Sequence, residues 1–150
     1  MEFSSYMDVA LAEAEAAANL GEVPVGAVIV DPATGTIIAR GGNRTRRDND
    51  PTAHAEIVAI RSACTALGHD RLPGLDLYVT LEPCAMCAGA IAHARIGRLY
   101  YGASDPKSGG VAQGARVFAR AQTHHVPEVY DGLSEAACAA LLKRFFEGKR

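Results

Sequence analysis

His54-Ala55-Glu56 and Pro83-Cys84-Ala85-Met86-Cys87 constrain this 150-residue chain more than any other feature. Together they supply three soft or borderline metal ligands and one carboxylate that a metal would not need. A structural zinc site is usually closed by four protein ligands, whereas three leave the fourth tetrahedral position for a water that the metal acidifies toward neutrality. The set therefore reads as a catalytic zinc centre, one ion per chain, with His54, Cys84 and Cys87 as ligands and Glu56 free to move protons. A C-x-x-C pair alone also serves redox and structural-metal roles. A redox pair gives His54 no purpose, and a structural site lacks its fourth ligand unless His69, His93, His124 or His125 supplies it.

The two motifs open two successive helices. Cys84 and Cys87 fall on one face of the first turn if a helix begins at Pro83, whose missing N–H is no loss at that position. The positive end of the helix dipole favours the thiolate, the form that binds metal. His54 and Glu56 follow the turn Asp50-Pro51-Thr52, with Thr52 as a candidate N-cap. Two residues apart is not a same-face spacing, so only one of the two points straight at a metal. The imidazole is the natural ligand, and the carboxylate the natural neighbour of the water.

Periodicity fills in the rest of the chain. Residues 5–20 read as an amphipathic helix closed by Gly21, with Met7, Ala10, Leu11, Ala14 and Ala18 on its packing side. An apolar strand over Val23 to Val30 has its hairpin partner at Thr36 to Ala39, and an arginine-rich irregular segment from Gly41 to Pro51 rims the site. The pattern then alternates: helix 53–67, strand 75–81, helix 84–94, strand 98–102. After a loop at 105–110 come a helix around 112–121, a strand near 125–129 and a final helix from Ser134 to about Phe146. Such alternation implies right-handed crossovers and a largely parallel stretch of sheet, with the motifs at carboxyl ends of strands and amino ends of helices.

At this length the chain is expected to be a single domain over 1–150 with a proper core. Hydrophobic content of 49% and charged content of 21% are ordinary for a soluble protein, and no apolar run approaches a membrane span. The start, Met1-Glu2-Phe3-Ser4-Ser5, lacks the features of a signal peptide, which makes the cytoplasm the expected location. Cys64 and Cys138 sit in Ala/Leu-rich helical patterns and read as buried thiols. Net charge is −2, yet positive charge is bunched at Arg44-Thr45-Arg46-Arg47, Lys107, Lys143-Arg144 and Lys149-Arg150. If these converge they form a phosphate-binding surface; Lys143 and Arg144 also read simply as the solvated face of the last helix.

The H-x-E and P-C-x-x-C pair is the signature of zinc deaminases acting on nucleobases. Around it, Glu22-Val23-Pro24-Val25-Gly26-Ala27, Asn43-Arg44, Asp50 to Glu56, Arg71-Leu72-Pro73, Leu77 to Ala90, Tyr101-Gly102-Ala103 and Asp105-Pro106-Lys107 resemble the bacterial tRNA-specific adenosine deaminases. The chain departs from that pattern at Gly109 to Gln113 and at His124-His125. The resemblance implies a three-layer α/β/α cytidine-deaminase-like sandwich around a five-stranded mixed sheet. It implies conversion of adenosine to inosine at the wobble position of a tRNA anticodon stem-loop, by a homodimer whose sites border the partner chain. It makes His54, Cys84 and Cys87 the zinc ligands and Glu56 the proton shuttle. Asn43 and the backbone N–H of Ala55 would meet the purine, Asp105 and Lys107 the nucleotide beside the flipped base, and Phe146 would stack in the substrate groove. Because the zinc motif is shared with deaminases of cytidine, deoxycytidylate and guanine, a free-nucleobase deaminase remains the alternative. A non-catalytic zinc-stabilised RNA-binding subunit is a second one, which an intact Glu56 disfavours.

Overall fold

The computed structural model describes residues 5–148; Lys149 and Arg150, expected at the end of the basic tail, lie outside the described residues. The strands are β1 (Gly26–Asp31), β2 (Thr36–Gly42), β3 (Asp76–Leu81), β4 (Arg98–Ala103) and β5 (Glu128–Tyr130). They form one sheet in the order β2-β1-β3-β4-β5. β1 runs antiparallel to both β2 and β3, while β3, β4 and β5 are parallel. Helices α1 (Met7–Asn19) and α4 (Glu135–Glu147) cover one face of the sheet, and α2 (Ala55–Leu67) and α3 (Ala85–Ala94) the other. This is the mixed three-layer sandwich expected.

The strands feed the two layers alternately. Ala27, Ile29, Leu77, Val79, Leu99 and Tyr101 pack with Ala55, Ala59, Ala63 and Ile91 of α2 and α3. Val28, Val30, Tyr78 and Tyr100 pack instead with Met7 and Ala10 of α1 and Cys138 of α4. A strand covered on both faces has no solvent side, which is why β1 reads as a continuous apolar run rather than an alternating one. Among the described residues, no helix is long and apolar enough to cross a membrane.

Several boundaries differ from the sequence reading, each for a local reason. The buried stripe of α1 is Met7, Ala10, Ala14 and Ala17; Leu11 and Ala18 are only half-buried. The helix presses its small residues against the glycines of β1 and β2. A Cβ on Gly42 would lie 3.1 Å from that of Ala17, and one on Gly26 would lie 2.0 Å from the Ala10 carbonyl oxygen. β1 starts at Gly26 rather than Val23, because the Val25 N–H turns back to the Val23 carbonyl across Pro24 (2.8 Å). β2 continues past Ala39 to Gly42 after a register shift opposite Ile29 and Val30.

The largest disagreement lies between β4 and β5. No helix spans 112–121; a single 3₁₀ turn at Val117–Ala119 takes its place. The N–H groups of Val111, Ala112 and Gln113 all donate to the Glu82 carboxylate, and Gly114 and Arg116 adopt left-handed backbone at φ 51° and 45°. Neither feature is compatible with a helix. β5 begins at Glu128, opposite Arg98, just after Pro127, which has no N–H to give a ladder. Tyr130 stacks on Tyr100 at 5.0 Å, which helps hold so short a strand. Cys138 is buried as expected, whereas Cys64 is only half-buried.

Gly26 tests the α1 contact. In Gly26→Ala the new methyl would meet the Ala10 carbonyl oxygen at 2.0 Å and the Ala14 nitrogen at 2.5 Å, both backbone atoms that cannot move without displacing α1. A loss of roughly 1–3 kcal/mol in urea unfolding is expected, the usual scale of overpacking; unchanged stability would show that α1 is not seated as described.

Candidate active site

β2, β3 and β4 end, and β1 begins, at one edge of the sandwich, and α2 and α3 both start there. His54 occupies the N-cap position of α2 with extended backbone (φ −68°, ψ 157°). Thr52, expected as the cap, is used otherwise: its N–H and hydroxyl both donate to Asp50 Oδ1, closing a turn ahead of the helix. α3 likewise begins one step later than expected, with Cys84 as N-cap (φ −70°, ψ 174°) and Pro83 outside the helix. The thiols still converge, because an N-cap side chain reaches naturally toward the third helical position, here Cys87.

His54, Cys84 and Cys87 present ligand atoms that all lie within 4.8 Å of one another. His54 Nδ1 stands 3.6 Å from Cys84 Sγ and 3.5 Å from Cys87 Sγ. A sulfur and a nitrogen sharing one tetrahedral zinc ion are about 3.6 Å apart, given ordinary Zn–S and Zn–N lengths. The donor set and its spacing therefore fit zinc, with Nδ1 as the imidazole ligand. The thiols are polarised for the task. Hydrogen bonds from the Cys87 thiol and from His54 bring Cys84 down to about 4, and Cys87, as the donor to that thiolate, is pushed up. His54 is raised, chiefly by its hydrogen bond to Cys84.

Glu56 is the second residue of α2 and only 4% exposed. Burial pushes its carboxyl up to about 7, and the negative Cys84 adds to the effect. A carboxyl poised near neutrality beside a metal site has the property a proton shuttle needs.

These groups open into a pocket of about 280 Å³, whose polar lining includes Asn43, His54, Glu56, Cys84, Asp105 and Ser108. That size is at the small end of ligand pockets and suits a single flat heterocycle. Asn43 is buried, and its Oδ1 has no hydrogen-bond partner among the described residues. Such an atom is costly unless a donor meets it. Ala55 also lines the pocket, and as the first residue of α2 it carries an N–H with no intrahelical acceptor. Asp105 shapes its own turn, its Oδ1 accepting from the N–H groups of Lys107 (3.2 Å) and Ser108 (3.0 Å).

Other expected contacts do not meet here. Lys107 is exposed on the same loop but does not line the pocket. Phe146 is 54% exposed on α4, edge-on to Phe145, and Phe145 lines a separate cleft with Glu15 and Ala18 of α1. The arginines at 44–47 are largely engaged in contacts with the protein's own surface. Arg44 pairs with Asp48, Arg47 with the fully buried Glu22, and Arg46 donates to the Gly21 carbonyl. The sequence reading assigned no role to Glu22 or to Glu82, the two buried carboxylates that pin the loops on either side of the pocket. A lone glutamate against an apolar strand, as in Glu22-Val23-Pro24 and Leu81-Glu82-Pro83, was the available signal.

The raised Glu56 carboxyl has a thermodynamic consequence in metal-free protein. Its ordinary value is 4.5 and its folded value about 7, so between those pH values the folded state holds more protons than the unfolded one. Stability therefore falls as pH rises through that window. The full penalty above pH 7 is on the order of 3 kcal/mol. Chelated Glu56→Gln should be more stable than the chelated parent by about that amount in urea unfolding at pH 8, with the gap closing toward pH 4.5. A gap independent of pH would show that Glu56 is not buried as a carboxyl.

The comparisons with known proteins agree with this geometry. Residues 1–103 match the family model of the cytidine and deoxycytidylate deaminase zinc-binding region. A tRNA-specific adenosine deaminase of Agrobacterium fabrum is 58% identical over 99% of this chain and 97% of its own, and one of Bacillus subtilis is 43% identical over 97% and 89%. A structure solved in a study of A-to-I editing by tRNA:A34 deaminases at the wobble position superposes with a TM-score of 0.89 at 60% identity, covering 91% of this chain and 98% of that one. A guanine deaminase from Bacillus subtilis gives 0.66 at 34% identity, covering 96% and 94%. With its three-ligand centre, this chain belongs to the zinc-dependent cytidine and deoxycytidylate deaminase family, in the branch of the bacterial tRNA-specific adenosine deaminases.

Proposed function

We propose that this protein deaminates adenosine to inosine at the wobble position of a tRNA anticodon, with one zinc per chain held by His54, Cys84 and Cys87. The observation that carries the reading is a single base-sized pocket joining three chemistries: an open three-ligand metal set, a buried carboxyl near neutrality and an orphaned amide oxygen. His54, Cys84 and Cys87 would hold the zinc, which when bound would supply a water acidic enough to act as a nucleophile at neutral pH. Glu56 would take one proton from the attacking water and pass it to the purine ring nitrogen, then take the second from the newly added hydroxyl and pass it to the departing ammonia. One carboxylate serves as base and then acid because the transfers are sequential. Asn43 Oδ1 and the Ala55 N–H orient the heterocycle, and the apolar wall of Val23, Val25 and Leu81 excludes bulk water.

An anticodon loop presents its bases already unpaired, so a target nucleotide can be swung into the pocket at little cost. Asp105, on the pocket wall, has a carboxylate oxygen left over from its turn that can accept from a ribose 2′-hydroxyl. Lys107 on the same loop is placed to meet a neighbouring phosphate rather than the base. Phe146 could stack on RNA only outside the pocket, from its exposed place on α4. A homodimer is part of the reading, supported by the resemblance and by the outward face of α3, where Met86 is 39% exposed. The alternative, a free guanine deaminase, draws on the 34% identical structure, but the relatives named for tRNA are far more similar.

The test is an ammonia-release assay on an anticodon stem-loop with adenosine at the wobble position, run beside free adenine, guanine, cytosine and their nucleosides. Inosine should form at that position while the free bases are hardly touched. Glu56→Gln should keep its zinc and lose at least roughly two orders of magnitude in turnover, the scale of general acid-base catalysis. Efficient deamination of free guanine with no effect on RNA would overturn the assignment, and loss of zinc from the variant would make Glu56 a ligand.

A further inference from the structure

Glu82 is 2% exposed and forms no salt bridge with any described residue, an expensive position for a carboxylate unless hydrogen bonds replace its hydration. They do, and all of them come from one loop. Oε2 accepts from three successive backbone N–H groups, Val111 (3.1 Å), Ala112 (2.9 Å) and Gln113 (3.0 Å). Oε1 accepts from the Asp105 N–H (3.0 Å) and the Ser104 hydroxyl (3.3 Å). Consecutive amides aimed at one point make an anion-binding nest, and here the anion belongs to the protein itself. The loop has no strand pairing to hold it, and its three amides would otherwise lack acceptors.

The loop also forms the substrate wall. Asp105 and Ser108 line the pocket, and Gly110 N–H donates to the Pro83 carbonyl (2.8 Å), in the turn that carries Cys84. Glu82 immediately precedes that turn. Gly109 lies so close that a Cβ there would be 2.6 Å from the Glu82 carboxyl, so the loop wraps the carboxylate with no room to spare.

We infer that Glu82 is a positioning residue for substrate binding: its carboxylate fixes the 104–113 loop, and with it Asp105 and Ser108, in register with the metal-ligand turn. Glutamine cannot replace it. One of its two oxygens becomes an NH₂, which must face backbone N–H groups that can only donate. The loop would then loosen while His54, Glu56, Cys84 and Cys87 stay on their helices. This inference rests on the deaminase reading for its kinetic consequence only.

The experiment compares zinc-loaded parent, Glu82→Gln and Gly109→Ala. The last variant crowds the Glu82 carboxyl and the Asp105 carbonyl oxygen from the loop side, leaving β3 and the ligand turn unaltered, so Glu82→Gln carries the assignment to the carboxylate and Gly109→Ala the assignment to the loop. Both variants should keep one zinc per chain and raise KM for the stem-loop tenfold or more, with kcat changed less than threefold. Backbone amide exchange should quicken over 104–113 and not over α2 or α3. Equal KM with unchanged exchange would overturn the inference. So would zinc loss with a fall in kcat, since Glu82 would then support the metal site rather than the loop. Should the parent fail to act on the stem-loop, the proposed function falls, while the exchange arm still decides whether Glu82 holds the loop.

Discussion

Three ligand atoms from two separate helix starts must stand within 4.8 Å of one another, and most of the architecture can be understood as what that requires. Each helix begins on a ligand, His54 and Cys84, held in extended backbone at the N-cap position, so the first turn of each points unpaired N–H groups at the same small volume. That arrangement favours the thiolate of Cys84 there, whereas burial outweighs the same effect at Glu56. The parallel pair β3 and β4 places the crossover helix α3 on one face, and antiparallel β1 brings its own start, with Val25, to the same edge. A hairpin from β1 to β2 then delivers Asn43 to the opposite wall.

The site is costly to the fold. Glu22, Glu56 and Glu82 are all nearly or wholly buried, and they are stabilised in different ways. Glu22 accepts from the backbone of Arg46 and Arg47 and pairs with the Arg47 side chain. Glu82 is surrounded by amides of its own loop. Glu56 has less to offset its burial, a backbone N–H of its own and the Cys87 thiol, and its carboxyl is pushed up to about 7. The two well-compensated carboxylates shape the walls, and the less compensated one lies beside the metal-ligating set. The same logic explains the fate of the arginine-rich segment: its charges mostly hold the rim together and are not all available to RNA.

The convergence of His54, Cys84 and Cys87, the neighbouring Glu56 and the order of most elements were legible because short motifs and hydrophobic periodicity carry them locally. Helix starts were misplaced by one or two residues, since proline and threonine favour caps in general while here the ligands themselves take the N-cap positions. The 112–121 segment reads as helical from its alanines, and only a carboxylate thirty residues earlier turns its amides away from a helix. A hydrogen bond of that range leaves no periodic trace. Phe146 and Lys107 were assigned by motif, and their exposure on α4 and on the loop follows from packing that no motif encodes.

The proposed zinc centre has three protein ligands and one open position. X-ray absorption at the zinc edge of the loaded protein measures it most directly. Two sulfurs at about 2.3 Å and two light atoms at about 2.0–2.1 Å are expected, of which only one shows the multiple-scattering signature of an imidazole. A second imidazole or a third sulfur would close the site and contradict it.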